Sequence, residues 1–152
     1  QEQGNIRAWR EALSQVKWEG RMEEIRPDFY VDGAHNISAV KMFVQSIQSE
    51  KAEKLVLFSA VKDKQYEEMI KCLCSVSHVR EYVITWIEDE RGTQTEELLE
   101  IFQKYTDRPV TVKEEIREAL SYLDSKRDGC KVYCLGSLYL AGMIKAIMEE
   151  AG

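Results

Sequence analysis

Short apolar runs alternate with longer amphipathic segments along this 152-residue chain. The short runs are rich in β-branched and aromatic side chains, which is typical of strands buried on both faces. The segments between them place apolar residues three or four positions apart, which is the spacing of one face of a helix. The pattern predicts strands at 22–26, 29–31, 54–60, 81–86, 110–112 and 131–135. It predicts helices whose apolar faces span 6–16, 37–47, 66–73, 98–102, 116–123 and 140–147.

This alternation favours a parallel sheet, because a parallel neighbour needs a long crossover connection and a helix supplies it. Such crossovers are right-handed and cover both faces of the sheet. We therefore predict an α/β fold, a three-layer α/β/α sandwich around a Rossmann-like, mostly parallel sheet. The chain has the length of one ordinary domain, and only residues 1–20 have the character of a linker.

Composition narrows the classes of function. The net charge is −6 and no basic stripe with interleaved aromatic residues occurs, which argues against nucleic acid as a general partner. No apolar run approaches the roughly 20 residues of a membrane span, and the polar start lacks the pattern of a signal peptide. From the missing initiator Met we expect a fragment of a longer protein. The four cysteines form no C-x-x-C pair, so we expect free thiols in a reducing cytoplasm.

Residues 30–36, with the sequence Y-V-D-G-A-H-N, form the most informative stretch. An apolar strand ends here and a helical pattern begins after Asn36, so Asp32 to His35 occupy a strand-to-helix turn. In open α/β sheets ligands bind at this carboxyl edge, and Gly33 allows positive φ or a close approach of backbone to ligand. An acid, a base and a helix N-terminus suited to phosphate or carboxylate thus converge. On local chemistry alone, a turn closed by Asp32 and a helix capped by Asn36 is an equally good interpretation.

Three further polar turns are expected on the same edge of the sheet, at 61–64, 88–93 and 136–137. Lys62, Asp63 and Lys64 could touch phosphate, although a solvated turn is the favoured interpretation. Ser137, after a glycine, could cradle an anion, although an ordinary serine N-cap is the simpler interpretation. The second histidine, His78, has no such neighbours and is interpreted as a surface residue. The chain contains no G-x-S-x-G, G-x-G-x-x-G or Gly-Lys sequence, so it carries no serine-hydrolase elbow, dinucleotide fingerprint or P-loop.

The order of four motifs is more specific than any one of them. They are W-E-G-R-M-E at 18–23, D-G-A-H-N at 32–36, D-K at 63–64 and G-S-L-Y-L at 136–140. In this order they resemble the C-terminal domain of the folylpolyglutamate synthase/dihydrofolate synthase family, within the Mur ligase superfamily. The resemblance covers essentially the whole chain. It departs from the family pattern at Glu19 and Ile37, where proline is usual, and in the acidic loop that carries Arg91, whose role stays open.

The resemblance implies an ATP-dependent amide ligase, in which a carboxylate is phosphorylated to an acyl phosphate and an amino acid's amine then attacks it. By this analogy Arg21 contacts phosphate or ribose, and Asp32 contacts the ribose hydroxyls. His35 lies where the phosphates and the incoming amino acid meet, and Ser137 helps to hold the carboxylate of L-glutamate. The expected site is therefore Asp32 and His35 as catalytic residues, Arg21, Asp32 and His35 for ATP, and Ser137 and His35 for glutamate. No metal ligand is assigned.

The resemblance also implies a division of labour between domains. Residues 1–20 would end an interdomain linker or amphipathic helix, and residues 21–152 would form the glutamate ligase domain. An N-terminal P-loop ATPase domain, absent from this chain, would hold most of the ATP and the Mg²⁺. The chain alone is therefore expected to be inactive, and the enzyme to be a cytoplasmic monomer that binds neither nucleic acid nor membrane.

Folate and dihydropteroate both stay open as the acceptor of glutamate. Two other interpretations also stay open. One is a non-catalytic Rossmann-like module that binds a small molecule or a protein, and the other is the C-terminal domain of a cell-wall Mur ligase.

Overall fold

The computed structural model describes residues 22–62, 65–89 and 91–151, and within them six strands alternate with five helices. The strands are β1 (Glu23–Arg26), β2 (Phe29–Val31), β3 (Glu53–Phe58), β4 (Val79–Ile84), β5 (Val110–Val112) and β6 (Cys130–Leu135). The helices are α1 (Ile37–Ile47), α2 (Tyr66–Leu73), α3 (Thr95–Tyr105), α4 (Ile116–Lys126) and α5 (Leu138–Ala151). The linker or helix expected at 1–20 lies outside the described residues.

All six strands belong to one sheet with the order β1-β2-β6-β3-β4-β5. β1 is antiparallel to β2, and every other neighbouring pair is parallel, which confirms the mostly parallel sheet. The last strand in the chain, β6, inserts between β2 and β3. Its Cys134 is in register with Val31 on one side and with Leu57 on the other.

Helices cover both faces of the sheet, which confirms the three-layer sandwich. On one face α1, α2 and α3 pack their apolar sides against β3, β4 and β6, with Phe43, Met69 and Phe102 all at most 3% exposed. On the other face α4 and α5 pack Leu123 and Ile144, both fully buried, against the same strands. Burying a side chain of this size contributes about 1.5–3 kcal/mol, so the two faces together account for most of the driving force for folding.

The connections leave neighbouring strands towards opposite faces. The chain passes from β2 to α1 on the first face, whereas it passes from β6 to α5 on the second. The same change of face occurs between β6 and β3, because β3 is followed by α2 on the first face. Diverging connections of this kind open a crevice at the carboxyl edge of a parallel sheet, where ligands of α/β proteins bind.

Two predicted strand boundaries at this edge are wrong. β3 ends at Phe58 rather than at Ala60, and β4 ends at Ile84 rather than at Trp86. Ser59 and Ala60 are each 1% exposed although they belong to the turn. An apolar run cannot separate a central strand from a buried turn that follows it, because burial selects small or apolar side chains in both.

The opposite edge of the sheet is anchored by a buried cation. Lys54 at the start of β3 is fully buried, and its Nζ donates to the carbonyl oxygens of Glu50, Ala52 and Ser77 at 2.6, 3.1 and 3.0 Å. Burial lowers the pKa of this amine. Because the three carbonyls come from the two loops that precede β3 and β4, Lys54 ties these loops together.

None of the helices in the described ranges is long and apolar enough to cross a membrane.

Candidate functional site

The turn after β2 is built around the side chain of Asp32. Its backbone N–H donates to the carbonyl of Cys134 at 2.9 Å and so continues the pairing of β2 with β6. Its Oδ1 accepts the N–H of Ala34 at 2.7 Å, the short-range bond by which aspartate closes a turn. Asn36 then caps α1 by accepting the N–H of Ala39 at 2.9 Å. Asp32 therefore closes the turn and Asn36 caps α1, as one of the two interpretations of the sequence predicted. Neither contact prevents these residues from binding a ligand.

Asp32 is a buried carboxyl group. The residue is 4% exposed, and burial raises the pKa of its carboxyl to about 6, against the lowering effect of the Ala34 N–H. A carboxyl group with such a pKa is still mostly ionised at neutral pH, so the folded chain carries a buried charge that costs free energy. Burial of an acid at the carboxyl edge of a sheet is typical of a functional group rather than of a structural one.

His35 is half-buried at the end of the same turn, and its Nδ1 lies 2.9 Å from the carbonyl oxygen of Gly33. A carbonyl oxygen only accepts hydrogen bonds, so in the neutral ring the proton is on Nδ1. Nε2 then carries the lone pair and can accept a proton from a ligand. Gly33 does not adopt a positive φ. Among the glycines in the described ranges, positive φ occurs at Gly129 and Gly136.

The turn after β6 packs directly against the turns after β2 and β3. The N–H of Gly136 donates to the carbonyl of Ala34 at 2.9 Å. Gly136 has φ +116°, and a Cβ at this position would lie 2.0 Å from the carbonyl oxygen of Ser59. Only glycine fits here, because a side chain would collide with backbone and strain the dihedral angle. The contacts of Gly136 with Ala34 and Ser59 hold the carboxyl ends of β2, β3 and β6 side by side.

Ser137 caps α5. The residue is 2% exposed, and its Oγ accepts the N–H of Tyr139 at 3.0 Å and lies 3.5 Å from that of Leu140. The simpler interpretation of this serine is thus correct. A capping hydroxyl keeps its own proton, so it can still donate one hydrogen bond to an anion at the helix N-terminus. Asp32 and Ser137 follow adjacent strands, and the structure brings their turns into contact.

The loops after β3 and β4 complete the edge. The N–H of Lys62 donates to the carbonyl of Arg91 at 2.6 Å, and that of Thr93 donates to the carbonyl of Ala60 at 2.9 Å. Gly92 and Val61 form an isolated antiparallel bridge between the same two loops. The four polar turns expected to share one edge therefore form one connected rim, as far as their residues are described.

Three polar atoms at this rim were not identified from the sequence. Within the described ranges, Ser59 Oγ, Trp86 Nε1 and Thr93 Oγ1 are buried and have no hydrogen-bond partner. Buried polar atoms are nearly always paired, and exceptions concentrate at functional sites. A sequence signal existed only for Ser59, a polar residue at the end of an apolar run.

Arg21, Asp63 and Lys64 lie outside the described residues. His78 is exposed before β4, at the opposite edge from His35, as predicted for a surface residue. In the described part of the chain, no three His, Cys, Asp or Glu side chains come together in a way that could hold a metal ion.

Comparison with known proteins gives the family. The model of the family described as Mur ligase, glutamate ligase domain matches residues 20–138. A curated relative, the dihydrofolate synthase/folylpolyglutamate synthase of Bacillus subtilis, is 29% identical over 146 residues. The match covers 91% of this chain and 32% of that protein, so the chain spans about a third of the relative's length.

Solved structures show the same fold. The folylpolyglutamate synthase of Mycobacterium tuberculosis, complexed with ADP, matches with a TM-score of 0.75 and 23% identity over 87% of this chain and 32% of that one. The E. coli FolC structure in complex with DHPP and ADP matches with a TM-score of 0.76 and 19% identity over 87% and 31%. Because the family model matches residues 20–138, well over half of the chain, the chain belongs to the family described as Mur ligase, glutamate ligase domain.

Proposed function

We propose that this chain is the C-terminal domain of an ATP-dependent ligase that adds L-glutamate to folate, to dihydropteroate or to both. The observation that carries the proposal is the contact between two turns. The D-G-A-H-N turn and the G-S-L-Y-L turn follow adjacent strands, and the Gly136 N–H joins them through the carbonyl of Ala34. The curated relative with a matching domain is named dihydrofolate synthase/folylpolyglutamate synthase, which supports this substrate class.

In the proposed reaction a carboxylate of the pterin substrate takes the γ-phosphoryl group of ATP and becomes an acyl phosphate. The amine of L-glutamate attacks the acyl carbon, a C–N bond forms, the C–O bond to phosphate breaks, and inorganic phosphate leaves. The nucleophiles in these two steps are the substrate carboxylate and the amine of L-glutamate. The domain therefore contributes binding, orientation and proton transfer. The P-loop part of the ligase would hold the phosphates of ATP and the Mg²⁺.

Asp32 is proposed to bind the ribose of the nucleotide. An ionised carboxylate accepts hydrogen bonds from two neighbouring hydroxyls, and such bonds favour its charged form. Such bonds would offset the desolvation that raises the pKa of the buried Asp32 carboxyl. Arg21, at the start of the proposed domain 21–152, would supply the positive charge for phosphate or ribose.

His35 is proposed as the base for the incoming amine. Glutamate arrives as an ammonium ion, which must lose a proton before its nitrogen can attack. The hydrogen bond between Nδ1 and Gly33 leaves Nε2 as the acceptor, and the ring is exposed enough to meet a ligand. Ser137 would donate its hydroxyl proton to a carboxylate of the same glutamate at the N-terminus of α5.

The proposal also covers the setting of the enzyme. Cys72, Cys74, Cys130 and Cys134 are all free thiols, which fits a reducing compartment such as the cytoplasm. We retain residues 1–20 as the proposed linker to the ATPase part and a monomer as the proposed assembly.

The test uses the full-length product of the gene that encodes this chain, purified and supplied with ATP and Mg²⁺. Release of ADP that requires both L-glutamate and either tetrahydrofolate or dihydropteroate would support the proposal, and mass spectrometry would identify the glutamylated product. Glutamate-independent turnover, or turnover only with a cell-wall nucleotide precursor, would refute it. Absence of any turnover together with tight binding of another protein or small molecule would favour the non-catalytic module.

A further inference from the structure

Glu81 carries a buried carboxylate that has no part in the site described so far. It lies on β4, is 7% exposed, and its Oε2 accepts the hydroxyl of Tyr122 at 2.5 Å. The hydroxyl of Thr111 on β5 donates to the same oxygen. A satisfied buried network of this kind is rigid, so Glu81 holds the ring of Tyr122 on α4 in one place beside the edge strand β5.

Two lysines lie against this ring. The Nζ of Lys113, the residue after β5, is 5.0 Å from the centroid of the Tyr122 ring, and that of Lys126, at the end of α4, is 5.6 Å from it. Among the described residues, neither lysine forms an ion pair. Two ammonium groups beside one ring repel each other, and an anion bound between them would relieve this repulsion.

The same ring forms one wall of a surface cavity of about 500 Å³, which is lined by Lys113, Arg117, Glu118, Ser121 and Tyr122. Cavities that bind small molecules have about 300–1,000 Å³. Arg117 pairs with Glu150 at 2.8 Å, so its charge is largely compensated. Lys113 and the adjacent Lys126 then outnumber Glu118, which leaves a local excess of positive charge in a chain whose net charge is −6. An anionic ligand therefore fits this cavity.

The cavity begins at the same edge of the sheet as the rim. Lys113 follows β5 at the carboxyl edge, and α4 runs from there back towards the amino edge, so the cavity extends along the flank of the sheet. In the sheet order β5 lies four strands from β2, which is roughly 19 Å at the usual spacing of strands. A single amino acid bound at the rim is too short to reach the cavity, whereas a chain of several linked residues is long enough.

We propose that this cavity binds the tail of γ-linked glutamates on a folate that the ligase extends. Each γ-linked residue carries a free α-carboxylate, so the tail is a flexible chain of anions. Lys113 and Lys126 bind these carboxylates, and Tyr122 is the positioning residue that holds both amines beside the cavity. The identity of the ligand rests on the proposed function.

The first test measures steady-state kinetics of the full-length protein with tetrahydrofolate that carries either one or five glutamates. Lys113→Gln is expected to raise the ratio of the KM for the long substrate to that for the short one about threefold to fivefold, the scale of one exposed charge pair. Glu118→Gln is expected to lower the same ratio, because it removes a charge that repels the tail.

The matched control is Lys71→Gln on α2. Lys71 is also a lysine beside a tyrosine, with its Nζ 5.9 Å from the centroid of the Tyr105 ring, and its replacement changes the net charge by the same amount. The wild-type KM ratio is expected for this control. An unchanged ratio in Lys113→Gln, or an equal change in Lys71→Gln, would overturn the tail site and leave the proposed function intact.

The role of Tyr122 is tested by two replacements. Tyr122→Leu removes the ring and is expected to raise the KM ratio, whereas Tyr122→Phe keeps the ring and is expected to restore it to within about twofold of the wild type. If Tyr122→Leu lowers kcat equally for both substrates and leaves the ratio unchanged, its role is structural and the positioning role is wrong.

A second measurement covers a protein that does not ligate glutamate. Binding of penta-γ-L-glutamate to the full-length protein is measured by isothermal titration calorimetry without ATP, at constant ionic strength, with L-glutamate as the comparison. Saturable binding of the pentamer that is weakened about tenfold in Lys113→Gln/Lys126→Gln and retained in Lys71→Gln would support the site although the proposed function had failed. An inactive protein that does not bind the pentamer would overturn both.

Discussion

Replacing Asp32 by asparagine is expected to make the folded chain more stable and the proposed ligase less active. Asp32 is 4% exposed, and burial raises the pKa of its carboxyl from 3.8 to about 6. Asparagine has nearly the same shape, and its side-chain oxygen can still accept the N–H of Ala34, which Asp32 Oδ1 accepts at 2.7 Å. The substitution therefore removes the buried charge and preserves the turn.

The gain in unfolding free energy of Asp32→Asn, and its dependence on pH, follow from the linkage between proton binding and folding. Because the pKa is higher in the folded chain than in the unfolded one, the folded chain binds more protons between about pH 4 and pH 6. The free energy of unfolding of the wild type must then fall as pH rises through this window. A shift of about two units corresponds to about 3 kcal/mol, which is fully expressed above about pH 7 and absent below about pH 4. Asp32→Asn removes this penalty, so its advantage grows from about zero near pH 4 to about 1–3 kcal/mol at pH 8.

The assay is urea unfolding followed by circular dichroism at pH 4.5, 6 and 8. It compares the wild type with Asp32→Asn and with Asp107→Asn, a control at an exposed aspartate just after α3. The control is expected to follow the wild type at every pH. An Asp32→Asn chain that is equally or less stable at pH 8, or whose advantage does not change with pH, would refute the argument that Asp32 is a destabilising buried acid. Greater stability with weaker ligation is the usual trade-off at a binding site.

Other expected outcomes concern glycine packing, the buried amine and the isolated chain. Gly136→Ala is expected to cost at least about 3 kcal/mol in urea unfolding, because its Cβ would lie 2.0 Å from the Ser59 carbonyl oxygen, whereas Gly129→Ala meets no atom within 4 Å and is expected to cost about 1 kcal/mol of dihedral strain. Equal losses would contradict this packing argument. Lys54→Met is expected to lower the unfolding free energy by about 2 kcal/mol or more, since three carbonyls lose their donor, and an unchanged midpoint would show that they find other partners. The purified 152-residue chain is expected to fold but neither to hydrolyse ATP nor to ligate glutamate in a phosphate-release assay, because it contains no P-loop; phosphate release abolished by Ser137→Ala would contradict this.

Within the described residues, hydrophobic periodicity predicted the strands, the helices and the layers, because these depend on spacing within one segment. It did not predict the strand order. The insertion of β6 between β2 and β3 depends on which strands pair, and this information lies between distant segments rather than within one. The four polar turns were nevertheless assigned to one edge correctly, since every turn that follows a strand of a parallel sheet leaves at the same edge.

The chemistry of the site was predicted less completely than its location. Asp32 was selected by its place after a strand, but its burial, and with it the raised pKa, depends on packing that spacing does not report. The contact of Arg91 with Tyr139 joins residues that are 48 positions apart, and no local pattern links them. The place of Ser59 at the end of an apolar run indicated its burial, but that the buried hydroxyls of Ser59 and Thr93 have no hydrogen-bond partner depends on all their neighbours.

The two histidines of the chain allow the most direct test of the central claim, that the turn after β2 takes part in glutamate ligation. His35→Asn and His78→Asn are introduced separately into the full-length protein, and formation of glutamylated product is measured at saturating ATP. Asparagine tolerates the positive φ of 61° at His78, so both variants are expected to fold. We predict that His35→Asn lowers kcat/KM for L-glutamate at least about tenfold, whereas His78→Asn has the wild-type value. Wild-type rates in a folded His35→Asn protein would contradict the account.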